Sequence, residues 1–356
     1  METLAAMLLP RLQELGHQIV VVTSHGSHPA PDESDFQGIP IYRFHFRSMV
    51  QKGNLEGLVL IRRQIAALKR SFQPDLVHLN VSDPSGYFHI STANAYPAAT
   101  LVTFHQSWKS FGLTGGQDTL VGKLLHQSDW VTAVAGTILE EVRAFAPEIR
   151  ERSSVIHNGL EVTRLQPFPL PFDPPCILHL GRLVAAKEVN LALEAFAIVG
   201  ESFPEARLVI AGEGVERSRL EEKAAALQLD DRVEFRGLVE LEKVPELLNQ
   251  ATLLLMASRN EGFPMAALEA MQIGRPIVAT TGGGISEAVV DGQTGLVVPP
   301  GDSRALAEAM RFLLEHPDRA MEMGNEGRRR QLRMFSLENT AREYDVLYRQ
   351  LTYRFG

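Results

Sequence analysis

Apolar positions along this chain follow two alternating rhythms. Short runs rich in branched side chains, such as Leu208-Val-Ile-Ala211 and Thr252-Leu-Leu-Leu-Met-Ala257, give way to stretches where apolar residues recur every three or four positions. The runs predict strands buried on both faces, the stretches predict amphipathic helices, and their alternation predicts parallel sheets with crossover helices. In the first half the strand candidates are Gln18–Thr23, Ile39–His45, Asp75–Asn80, Thr100–His105, Trp130–Ala135 and Ser154–His157. In the second half they are Cys176–Leu180, Arg207–Ala211, Arg232–Arg236, Thr252–Ala257, Pro276–Ala279 and Leu296–Val298. Between the two sets, Gln166–Pro175 holds five prolines in ten residues, which predicts a stiff inter-domain linker. The expected fold is α/β, with two doubly wound Rossmann-like domains, residues 1–165 and 176–335, whose strand carboxyl ends face a central cleft. Residues 336–356 add a helix with Leu337, Tyr344, Leu347, Tyr348 and Leu351 on its apolar side. It suits either a cap on the second domain or a return to the first.

A doubly wound domain opens with a strand and a glycine turn, whereas this chain opens on the helical pattern Glu2–Leu15. Loss of that strand would leave neighbouring backbone groups unpaired, so the expectation is a gene start placed too late.

Composition narrows the classes. With 356 residues, 45% apolar and 22% charged, the chain is long enough for two cores. Residues 1–165 carry 14 Lys/Arg against 15 Asp/Glu and the remainder 21 against 28, so the net charge of −8 lies almost wholly in the second half. Neither half is basic, which argues against general nucleic-acid binding. A single cysteine, Cys176, excludes an intramolecular disulfide and a cysteine-cluster metal site. Its apolar neighbours predict an inert thiol. No stretch has the apolar length of a membrane helix, and the N-terminus lacks the basic start of a signal peptide, so a cytoplasmic location is expected.

Chemistry-bearing residues cluster after the second-half strands. The run Leu178-His-Leu-Gly181-Arg182 places a glycine and a cation at a strand end, with Lys187 five residues on. Two fixed positive charges at one sheet edge suit a pyrophosphate. Gly212-Glu-Gly214 follows another strand, but Arg217 occupies the third glycine position of the dinucleotide fingerprint, which lowers the case for NAD or FAD. After Thr252–Ala257 come Glu261 in a turn, Pro264 at the start of a helix and Glu269 more than a turn inside it. The helix start offers free N–H groups to an anion, and two carboxylates remain to accept from the vicinal hydroxyls of a sugar or ribose. Singly, each acid is equally a capping or a solvated residue.

With these segments in view, residues 155–300 resemble the donor-binding half of glycosyltransferase family 4, a retaining family with the two-domain GT-B fold. The matching stretches are His157-Asn-Gly159, Gly181-Arg182 with Lys187, Gly212-Glu-Gly214, Arg232 to Gly237, Glu261 with Glu269, Gly274-Arg-Pro276, Gly282 to Glu287 and Asp291 to Gly295. The first half is similar more loosely, in Leu15-Gly-His17, Pro74 to His78, Thr103-Phe-His105 and Ser128-Asp129. The resemblance implies that Gly181, Arg182 and Lys187 bind the diphosphate, with Gly212 on the neighbouring loop. It implies that Glu261 and the backbone of Gly262, Phe263 and Pro264 contact the transferred sugar and that Glu269 holds the ribose. Gly237 to Glu240, Val239 included, would border the base, and His105 would face the donor sugar; His78 is expected to be scaffold. Two residues depart from the family: Glu161 where Asp is usual, and Glu188, after Lys187, where glycine is usual.

The function so implied is retaining, metal-independent transfer of a hexosyl or N-acetylhexosaminyl group from a nucleotide-diphosphate sugar to a glycan, lipid-linked or small-molecule acceptor, with no cofactor. No Asp-x-Asp occurs to hold a divalent ion on the diphosphate. Alternatives are a sugar-nucleotide 2-epimerase and a catalytically impaired sugar-nucleotide-binding protein. Arg62, Arg63, Lys69 and Arg70 recur at a spacing of seven opposite Ile61, Ile65 and Leu68, which predicts a basic helix face. A solvated face is the default, and peripheral contact with the inner face of a membrane, fitting a lipid-linked acceptor, is the alternative.

Overall fold

A computed structural model of the chain describes residues 2–26, 29–81, 84–107, 118–163 and 165–353. The chain folds into two compact units, residues 1–157 with 338–356, and residues 158–337.

The second unit is built on six parallel strands, β8 (Cys176–Leu180), β9 (Arg207–Ala211), β10 (Val233–Gly237), β11 (Leu253–Met256), β12 (Ile277–Thr280) and β13 (Gly295–Val298). Their order across the sheet is β10-β9-β8-β11-β12-β13. Helices cover both faces, so β11 and β12 are buried along their whole length, which is why they read as unbroken apolar runs. Helix Val189–Ser202 buries Val189, Ala192, Leu193, Phe196, Val199 and Gly200, the stripe that its three-and-four spacing predicts. Each fully buried Leu, Ile or Phe in this core contributes about 1.5–3 kcal/mol.

Among its described residues the first unit holds seven strands, β1 (Val21–Ser24), β2 (Glu33–Phe36), β3 (Ile39–Phe44), β4 (Leu76–Asn80), β5 (Ala99–Phe104), β6 (Trp130–Ala133) and β7 (Ser153–Val155). Among the described residues they form two sheets, β1-β3-β2 and β4-β5-β6-β7, rather than one. All pair in parallel except β2, which runs antiparallel to β3 and was not anticipated. Its sequence, Glu-Ser-Asp-Phe, offers one apolar residue and so carries no strand signal.

Two expectations change. The proline-rich segment 166–175 is part of the second unit rather than a stiff linker between the two. Asn249 Oδ1 accepts from the Phe168 N–H at 2.9 Å, and its Nδ2 donates to Gln166 O at 3.0 Å. Arg275, fully buried, donates to Phe168 O at 2.6 Å and to Asn249 Oδ1 at 2.8 Å, strapping the segment down. Lys69 also leaves the basic face. It lies on the inner side of helix Leu55–Phe72 with Ile61 and Ile65, because a spacing of four, not seven, sets that side. There Nζ donates to His89 Nδ1 at 3.2 Å and to the carbonyls of His89 and Thr92.

The last helix, Leu337–Thr352, falls almost wholly in the first unit, where Tyr348 hydroxyl meets His78 Nδ1 at 2.6 Å. The other His78 nitrogen meets Thr103 Oγ1 at 2.6 Å. Burial, then His105, lowers the His78 pKa to about 3, so it is a neutral, doubly bonded scaffold residue.

Candidate functional site

In the second unit the chain runs outward from β8 through β9 to β10, then crosses to the other side of β8 for β11. The loops leaving β8 and β11 therefore part in opposite directions, which makes this the crevice where open α/β sheets take their ligands. The loop after β8 carries Gly181, Arg182 and Lys187; the loop after β11 carries Glu261 to Pro264 and leads into helix Met265–Gln272 with Glu269.

The two loops meet through an ion pair between Lys187 Nζ and Glu261 Oε1, whose side chains are 22% and 11% exposed. Arg182 is exposed and has no ion-pair partner among the described residues. Helix Met265–Gln272 begins at Pro264 with no side-chain cap, so its first N–H groups are open to an anion. Within the helix, burial raises the Glu269 carboxyl from 4.5 to about 7, and it has no hydrogen-bond partner among the described residues. A carboxyl in that state gains most from a hydroxyl donor supplied by a ligand.

Glycines set the loop packing. A Cβ on Gly212 would lie 1.8 Å from Gly181 O, so the loop after β9 can close over the loop after β8 only with glycine there. Gly212 N–H in turn donates to Gly237 O at 2.8 Å, joining the ends of β9 and β10. At Gly283, where φ is +58°, a Cβ would lie 1.7 Å from Glu261 O. The next amide, Gly284 N–H, donates to Glu261 O and Gly262 O at 3.0 Å each, so the glycine turn after β12 holds the backbone of the glutamate loop.

Of the residues singled out by sequence, Lys187 with Glu261 and Gly181 with Gly212 and Gly237 are brought together. Phe263 is buried and stacks edge-on against Phe335 at 5.1 Å, while its carbonyl accepts from Asn158 Nδ2 at 3.2 Å. Val239 is half-buried just past β10, next to the exposed Leu238. His105 follows β5 in the first unit and donates from Nε2 to Asn80 Oδ1 at 2.7 Å; burial lowers its pKa to about 4, leaving a neutral ring whose Nδ1 has no hydrogen-bond partner among the described residues.

Three contributors were not assigned from sequence. Glu188, the acid in a glycine position, does adopt the left-handed backbone (φ +45°), yet it does not oppose Lys187. Its carboxylate accepts from Arg259 Nε at 3.0 Å and pairs with Arg259 Nη2, clamping the β8 loop to the start of the β11 loop. The turn Gly282 to Gly284 is the second, legible as a motif but not as a brace. The third, His179, is a lone histidine in an apolar strand: Nδ1 donates to Leu255 O at 3.2 Å, and burial, then Lys187, lowers its pKa to about 4.

Comparisons with known proteins agree with this architecture. Residues 1–164 match the model for Glycosyltransferase Family 4, and residues 164–330 match that for Glycosyl transferases group 1. The chain is 29% identical to glycogen synthase of Mycobacterium tuberculosis over 93% of its own length and 86% of that protein's. Its fold is similar to that of a sucrose-phosphate synthase from Thermosynechococcus elongatus, with a TM-score of 0.83 and 24% identity over 97% of this chain and 91% of that one. It is likewise similar to HepE of Anabaena in complex with UDP-glucose, with a TM-score of 0.76 and 17% identity over 94% of this chain and 100% of that one. No helix among the described residues is long and apolar enough to cross a membrane. With the two family models joining end to end from residue 1 to residue 330 over a pair of α/β units, the chain belongs to the family 4 glycosyltransferases of GT-B fold, enzymes that move a sugar from a nucleotide-sugar donor.

Proposed function

We propose that this glycosyltransferase works with retention and needs no divalent ion on the donor diphosphate, passing a hexosyl or N-acetylhexosaminyl group to a glycan, lipid-linked or small-molecule acceptor. The observation that carries the proposal is the Lys187–Glu261 pair at the switch point between β8 and β11. A donor diphosphate competes for Lys187 and frees Glu261 to accept from a sugar hydroxyl. Arg182, Lys187 and the uncapped helix start then meet the charge that grows on the leaving oxygen, the task a bound Mg²⁺ performs elsewhere. Gly181 and Gly212 let backbone approach the diphosphate. Gly262, Phe263 and Pro264 offer main-chain groups to the sugar, Glu269 takes the ribose hydroxyls, and Gly237 and Val239 border the base. In the first unit, the neutral His105 ring is the proposed catalytic acceptor.

The test is the configuration of the product. An α-linked donor with its acceptor should give an α-linked product, read from the anomeric proton coupling, at a rate unaffected by Mg²⁺ or Mn²⁺. A β-linked product, or a strict requirement for either ion, overturns the proposal.

A membrane contact has a specific observation in its favour. On helix Leu55–Phe72, Arg62, Arg63 and Arg70 are exposed beside Leu55, Val59 and Leu60, which are 74%, 44% and 57% exposed. Basic and apolar groups on one face suit an anionic bilayer surface. Sedimentation with anionic vesicles should be lost when the three arginines become serine; equal sedimentation of both proteins removes the idea.

A further inference from the structure

The first unit carries a second cluster that the donor chemistry does not use. Strand β1 pairs in parallel with β3, with Ser24 opposite Phe44, so the residues that follow, His25 and His45, leave the sheet side by side. Backbone continues the pairing, with His25 N–H donating to Phe44 O at 3.0 Å. The imidazoles stack with centroids 4.1 Å apart. Asp32 comes from the other side of β3: β2 pairs antiparallel with that strand, and Arg43 N–H donates to Asp32 O at 2.7 Å. Its carboxylate accepts from His25 Nε2 at 2.9 Å. Ligand atoms of the three side chains lie within 4.8 Å of one another, the one such trio among the described residues.

The geometry points to a binding site for a divalent transition ion, Zn²⁺ above all, held by His25, Asp32 and His45. Two imidazoles and one carboxylate are a borderline-soft set that suits Zn²⁺ over Mg²⁺ or Ca²⁺. Zinc–ligand bonds of roughly 2.0–2.1 Å put tetrahedral ligand atoms about 3.3 Å apart. The His25–Asp32 contact therefore needs to open by only a few tenths of an ångström, while the exposed His45 ring turns out of its stack. The ion takes the place of the proton between His25 and Asp32; on a neutral ring that proton passes by way of water to Nδ1, so the imidazole binds as the neutral ligand. The fourth position faces a cavity of about 560 Å³ lined also by Ser24, Ser48 and Gln51, which admits water or a ligand hydroxyl. Bound there, the ion ties the exits of β1 and β3 to the start of β2. It lies outside the residues proposed to hold the donor diphosphate and does not depend on their roles.

The test is titration of chelator-stripped, full-length protein with Zn²⁺ against a chromophoric competitor. Wild type should saturate one site that excess Mg²⁺ does not displace. His45→Ala and Asp32→Asn should each weaken it at least about tenfold with the metal-free melting temperature unchanged. Both side chains are exposed, so their loss leaves the fold intact; Co²⁺ spectra give a second readout, with tetrahedral d–d bands in wild type that His45→Ala abolishes. Absence of saturable binding in wild type, or equal affinity in His45→Ala, overturns the assignment.

Discussion

Glu269 shows how one side chain's surroundings become a measurable property. Burial alone lifts its carboxyl from 4.5 to about 7, so near neutral pH it is half protonated. The ionised form is the better acceptor of ribose hydroxyls, and donor binding must therefore tighten as pH rises through 7. With a folded value of about 7, affinity should rise roughly tenfold between pH 6 and pH 8. Calorimetry at the two pH values checks this, and Glu269→Gln should flatten the dependence; the same slope in the variant would assign it to another group. Glu188 teaches a related lesson. Sequence marks it as an acid beside two cations proposed to bind phosphate, whereas the Arg259 guanidinium, far away in sequence, absorbs its charge. Net charge within a motif says little until the third dimension supplies the partners.

At the scale of elements, strands buried on both faces were legible to within one residue at each end. The spans Cys176–Leu180 and Arg207–Ala211 coincide with β8 and β9 because their apolar runs end abruptly at glycine or proline. The motif segments of the loops after β8, β9, β11 and β12 were legible too, but not the roles of their glycines: Gly212 and Gly283 are required by carbonyls of other loops, which no local pattern reveals. Polar elements fared worst. Strand β2 is nearly all polar, and the proline-rich segment looks like a linker until Arg275 and Asn249 are seen to fasten it. Lys69 misleads for the opposite reason, since a cation is assigned outward by default. Burial lowers its ammonium from 10.5 to about 8. The folded value lies below the unfolded one, so the charged form costs stability in full below pH 8, and the cost fades as pH rises toward 10.5. Urea unfolding of wild type and Lys69→Met should show wild type gaining on the variant, on the order of 2 kcal/mol between pH 7.5 and 9.5. Parallel pH profiles would place the ammonium in water.

Across the whole molecule, the acidic excess lies in the half proposed to bind an anionic donor, which makes local placement of cations decisive there. Arg182, Lys187 and an open helix start are gathered at the one crevice where the second sheet reverses its winding. Some other acids of that unit are paired on its surface, as in Glu213 and Glu221 with Arg217. The central claim is that this crevice holds the donor. Calorimetric titration with UDP-, GDP- and ADP-sugars tests it most directly, using wild type and Lys187→Ala. At least one donor should bind wild type at one site per chain and bind Lys187→Ala about 10–100-fold more weakly, the loss of one charge-assisted contact. Failure of every donor to bind wild type, or unchanged affinity in Lys187→Ala, would contradict it.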